Sequence, residues 1–123
     1  MAKTITAANE ACNVVKEKKI RLCPGVLKEL GKFPEEVQIS FLHNLDMVAH
    51  GLNPTLAIDH LSAVGAGVIE LKINGSPAYR CVYYNKMPGV LWVVVAATKT
   101  SQGQDLTIIR KAKERIKTLK NTD

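Results

Sequence analysis

Residues 90–98, VLWVVVAAT, run for nine positions without a charge. Both alternating sets along this run are apolar. A strand with one wet face would alternate with polar residues, so this one reads as a central member of a sheet. It needs strand neighbours, and the sequence just upstream supplies them. GVIELKI, residues 67–73, alternates Ile69, Leu71 and Ile73 with Glu70 and Lys72. Asn74-Gly75 is a hairpin signal, lengthened by Ser76-Pro77. AYRCVYY, residues 78–84, follows as the next strand, and NKMPG turns the chain into residues 90–98. Further upstream, KKIRLC alternates Ile20 and Leu22 with Lys19 and Arg21, which fits a short first strand.

The helices come mostly before this meander. Residues 6–17 place Ala7, Ala11, Val14 and Val15 at helical spacing behind Thr6, a cap residue. VLKELGK fits two turns ended by Gly31. Pro34, with Glu35 and Glu36 behind it, opens a longer helix in which Val37, Phe41, Leu42, Leu45, Val48, Ala49 and Leu52 share a face. Gly51 and Asn53-Pro54 stop it. A last helix, capped by Asp105, carries Ile108, Ile109, Ala112, Ile116 and Leu119 as its apolar stripe. Arg110, Lys111, Lys113, Lys117 and Lys120 stand off that stripe, as a solvated face or an RNA-facing one. The expected class is α+β: a small antiparallel sheet of three or four strands with helices packed on one face. Residues 1–123 are read as one domain, in which residues 1–30 form an extension and first strand with no functional account.

Charge narrows the function. Lys and Arg number 17 against 11 Asp and Glu, a net +6, which suits a polyanionic partner such as nucleic acid. No run reaches the roughly 18 apolar residues of a membrane span. No signal-peptide core follows Met1, so a cytoplasmic protein without a membrane partner is expected. Cys12, Cys23 and Cys81 are odd in number and lack zinc spacing, so reduced thiols, no structural metal and no cofactor are expected. His43 and His50 lie two helical turns apart, about 10.5 Å, too far for one small ion.

Arg80 interrupts the most strand-like part of the chain. By alternation Tyr79, Cys81 and Tyr83 face one way, and Ala78, Arg80, Val82 and Tyr84 the other. With helices on one side only, the Arg80 face would be open to solvent or ligand. Lys72 and Glu70 share a face of the preceding strand, and Lys99 arrives where the last strand ends. Three cations from three adjacent strands would converge on one surface. The plainer alternative is that Arg80 pairs with Glu70 across the hairpin, worth about 0.2–1 kcal/mol.

The ordered set of FPEEV, an apolar helix and glycine, GVIELKI, AYRCVYY, a strand ending in TKT, and a basic last helix resembles the RelE/HigB superfamily of bacterial toxins. It is most similar to the phage-related HigB-like branch, over residues 33–118. The resemblance implies a RelE-like fold and a metal-independent messenger-RNA endoribonuclease acting on the ribosome. A small antitoxin, of helix-turn-helix type, would neutralise it. By position Arg80 matches the family's "YR" arginine and would stabilise the scissile phosphate. Lys72 stands where the family has the "ELR" arginine. Lys99 matches a lysine after the last strand and would activate the 2′-hydroxyl. Tyr84 is a candidate to stack a base, and Arg110 to bind RNA. The chain departs from the pattern in having one lysine after the last strand instead of two, and no aromatic or histidine after Trp92. These departures leave a second reading: a domain of this type that binds RNA or a protein without cleaving.

Overall fold

The computed structural model describes residues 17–99 and 105–122. The expected N-terminal helix, Cys12 and the loop at 100–104 lie outside the described residues. The elements run β1 (Lys19–Leu22), α1 (Val26–Gly31), α2 (Glu35–Ala49), β2 (Ala57–His60), β3 (Val68–Ile73), β4 (Ala78–Tyr84), β5 (Val90–Lys99) and α3 (Leu106–Thr122). They form one five-stranded sheet in the order β1-β5-β4-β3-β2. The meander β2 to β5 is antiparallel, whereas β1 pairs with β5 in parallel. The sheet is therefore mixed, and larger than the expected three or four antiparallel strands.

The additional strand is β2. It has four residues at the sheet's edge, Ile58 is half-buried, and its other three residues are exposed. An edge strand of that length buries too little to leave an alternating pattern in the sequence. Its position is fixed from below by Asn44. This side chain is 2% exposed on α2. Its Nδ2 donates to Ser40 O at 3.0 Å, and its Oδ1 accepts the backbone N–H groups of Thr55 at 2.7 Å and Leu56 at 3.0 Å. The chain after α2 is thereby tied to the helix just before β2 begins.

Helices lie against both faces of the sheet, not one. Phe33, between α1 and α2, meets Tyr79 in a tilted ring contact at 4.9 Å, and Val48 of α2 shares a cavity wall with Ile58, Ile69 and Tyr83. These sheet residues belong to the Tyr79–Cys81–Tyr83 face. On the opposite face Lys120 of α3 sits 5.7 Å from the Tyr84 ring. Val68, Val82 and Val95 on that second face are fully buried. Coverage on both sides explains why residues 90–98 carry apolar residues in both alternating sets. Among the described residues no helix is long and apolar enough to cross a membrane.

Phe41, fully buried on α2 and 6.0 Å from the Phe33 ring, anchors one side of the core. Phe41→Ala is expected to lower stability by about 3–5 kcal/mol, as aromatic truncations in close-packed cores do. A urea titration would show it as a lower midpoint with an unchanged slope.

β1 covers only Val90–Val93 of the ten-residue β5, so the rest of β5 has a free edge. An ion-pair cluster caps part of it. Glu29 of α1 accepts two hydrogen bonds of 2.9 Å from Arg115 of α3, and Ala96 N–H donates to the same carboxylate at 3.1 Å. Arg115 Nη1 also donates to Val94 O at 2.8 Å, and Lys111 reaches Glu29 at 3.3 Å. Gly25, at φ +95°, admits this arginine: a Cβ there would lie 3.0 Å from Arg115 Nη2. Burial alone would raise the Glu29 pKa, but these donors outweigh it and hold the carboxyl below its usual value.

Candidate functional site

The β3–β4–β5 register settles which side chains share a face. Lys72 lies directly opposite Arg80, and Glu70 opposite Val82. Lys99 lies opposite Ala78, and Ala97 opposite Arg80. Lys72, Arg80 and Lys99 therefore do occupy one face of three adjacent strands. Lys99 is the diagonal neighbour of Arg80, a relation that puts residues about 7–8 Å apart.

That face is not open at Arg80. The arginine is 6% exposed and its facing carboxylate, Glu70, 7%. Arg80 Nη1 donates to Tyr79 O at 3.0 Å and Ile73 O at 3.4 Å, and Nη2 to Asn74 Oδ1 at 3.3 Å. Three contacts to the hairpin's own turn make Arg80 a staple for residues 73–79. Its Nε lies 3.9 Å from Glu70 Oε1, beyond hydrogen-bond distance, and is a buried donor with no partner. The expectation of an exposed guanidinium is corrected: the hairpin's own turn and Glu70 enclose it, and a charge so buried needs a partner.

Glu70 is the centre of the arrangement. Burial raises its pKa, opposed by the positive charges of Arg80, Lys99 and Lys72, while Asp59 adds to the rise. All three cations thus act on this one carboxylate. Lys72 is also held by Asp59 of β2 at 3.1 Å. Three cations face two carboxylates, so positive charge is in excess at the site. Lys99 is half-buried and has no ion pair among the described residues.

The other two candidates fall elsewhere. Tyr84 is 7% exposed beneath Lys120, so its ring has no free face for a base. Arg110 is exposed on α3. The sequence reading missed Asp59 because it lies in β2, where no strand was expected; once β2 is paired, Asp59 falls opposite Glu70 and joins the same face. Asn74 was visible only as a turn residue.

The family comparison matches residues 28–117 to the profile described as "Phage derived protein Gp49-like (DUF891)". The chain belongs to this Gp49-like family. The matched span opens within α1 and closes near the end of α3, so it takes in β3, β4 and β5 and every residue of the site. It nearly coincides with the span 33–118 that carried the sequence resemblance, and it supports the phage-related part of that resemblance. No curated protein matches this Gp49-like chain.

Proposed function

We propose that this Gp49-like chain is the toxin of a toxin–antitoxin pair, of the RelE type and nearest the HigB-like branch, and that it cleaves messenger RNA on the ribosome. The observation that carries the reading is the convergence of Lys72, Arg80 and Lys99 around Glu70 on one face of three adjacent strands. The chemistry is an internal transesterification. The 2′-oxygen of the RNA bonds to the neighbouring phosphorus, the bond to the 5′-oxygen breaks, and a 2′,3′-cyclic phosphate and a 5′-hydroxyl result. The nucleophile is already in the substrate, so the protein has to stabilise charge and move two protons. Once the phosphate displaces Glu70, Arg80 offers it the unpartnered Nε, and Lys72 adds a second positive charge. Lys99 takes the 2′ proton, and a solvent water supplies the proton to the departing 5′-oxygen. The net +6 of the chain favours RNA association, and an antitoxin with an acidic or amphipathic segment would neutralise it by covering the same charge.

The pH–rate profile of Lys99→Met tests the proton transfer. A fall in rate of roughly 10²–10⁴, with loss of one limb of the profile, is expected for removal of a general base. A profile identical to the parent's would remove Lys99 from the mechanism.

A second reading has its own support. Arg80 and Tyr84 are buried, and both Arg80 and Lys72 already hold carboxylates. A phosphate can reach Arg80 only after displacing Glu70. A domain that binds RNA or a protein partner without cleavage fits those contacts. Mapping message ends after incubation with translating ribosomes separates the two.

A further inference from the structure

The basic residues of α3 divide into two sets. Lys111 and Arg115 turn toward α1 and are neutralised by Glu29. Arg110, Lys113, Lys117 and Lys120 form the second set. At roughly 100° per residue they fall within about 80° of one another, and they span ten residues, about 15 Å of helix. Among the described residues none of the four takes part in an ion pair. The helix has one carboxylate, Glu114, about 40° around the helix from Arg110; it lines a different cavity with Cys23, Pro24 and Arg115. Three of the lysines, Lys113, Lys117 and Lys120, line an open groove of about 260 Å³ with Asn121, Ile116 and Val64. Among the described residues no acidic side chain lines it.

The direction of this band relates it to the sheet. Lys111 meets the carboxylate that caps Ala96, Arg115 meets Val94, and Lys120 lies over Tyr84, which pairs with Trp92. α3 therefore runs antiparallel to β5, with Arg110 toward the Lys99 end and Lys120 toward the Tyr84 end. A polyanion lying on the band would extend away from the Lys72–Arg80–Lys99 site along the length of the helix.

We infer that this groove binds the sugar–phosphate backbone of single-stranded RNA, as a track leading to or from the proposed cleavage site. The inference rests on the RNA reading above, but not on cleavage. Evenly spaced, unneutralised lysines on a polar groove suit a repeating phosphate, which needs point charges and no base-specific contacts. The carboxamide of Asn121 adds a donor at the far end.

The test uses the full chain and a fluorescent oligo-uridylate, with affinity measured across a salt series. Each phosphate contact on a single strand contributes about 0.7 to the slope of log affinity against log salt. The triple variant Lys113→Gln, Lys117→Gln, Lys120→Gln is expected to lower the slope by about two units. Between about 50 and 200 mM salt the parent then loses roughly twenty-fold more affinity than the variant. A control carrying Lys19→Gln, Lys28→Gln and Lys32→Gln removes the same charge from exposed positions outside the groove, and keeps the parental slope. An unchanged slope in the α3 variant overturns the inference. So does a parent with no salt-dependent RNA affinity, which also removes RNA from the proposed function. A variant that keeps its RNA slope but loses affinity for polyglutamate overturns it in favour of a protein-facing groove. A reduced slope in a protein that cuts no RNA supports the groove and refutes only the ribonuclease reading.

Discussion

Arg80→Met is expected to destabilise the chain by about 3–5 kcal/mol, because it leaves the Glu70 carboxylate buried without its nearest partner. The loss is read from urea unfolding. It also frees Tyr79 O, Ile73 O and Asn74 Oδ1, which loosens the β3–β4 turn. A second substitution separates structure from chemistry. In the double variant Arg80→Met, Glu70→Leu the buried charges go together, and most of the stability returns. If Arg80 serves only as a staple, function returns with stability. If it also grips phosphate, the refolded double variant stays inactive. The pH dependence has a definite sign. Burial raises the Glu70 pKa, so the folded chain binds this proton more tightly than the unfolded chain does. The stability this group contributes is present in acid and lost as pH rises through its folded value. The Arg80→Met defect should therefore be mildest at low pH and grow toward neutrality.

The second large effect is at the edge of β5. Arg115→Ala removes both hydrogen bonds to Glu29 and the cap on Val94 O. A loss of about 2–4 kcal/mol is expected, somewhat below a fully buried pair because both side chains keep some solvent contact. Here the sign is opposite to that of Glu70. The donors hold the Glu29 pKa below its usual value, so its contribution is present above the unfolded value and lost as pH falls through the folded one. The stability gap between the parent and Glu29→Gln should then shrink in acid. Freeing Val94 O also leaves an unpaired acceptor on the exposed edge, so concentration-dependent association of the Arg115→Ala variant is expected by light scattering.

The elements that were legible in the sequence are those whose burial is patterned. Residues 35–49 showed their apolar face, Asp105 announced the start of α3 and caps it through Thr107 and Ile108, and the β3–β4 hairpin followed from alternation around Asn74-Gly75. β2 was not legible because it buries almost nothing. The parallel pairing of β1 was not legible either, since alternation in KKIRLC states that a strand exists and not where it docks. The error about the Arg80 face was avoidable in principle. Residues 90–98 are apolar in both alternating sets, which is itself a statement that both faces of the sheet are covered. A covered face implies that any arginine on it has a buried partner, and Glu70 was the available one. The co-location of Lys72, Arg80 and Lys99 was legible because it depends only on strand order and register. The pairing of Arg80 with Glu70 was legible as the plainer alternative, but the hold of Asp59 on Lys72 was not, because Asp59 arrives through the strand that the pattern concealed.

End mapping of a translated message bears most directly on the proposed activity. The parent, the Lys99→Met variant and the Arg80→Met, Glu70→Leu variant would each be incubated with translating ribosomes, all three having first been shown to unfold cooperatively. The account predicts new 2′,3′-cyclic phosphate ends with the parent and a loss of at least a hundred-fold in both variants, about 2.7 kcal/mol in the barrier. Equal cleavage by all three, or none by the parent, would contradict it.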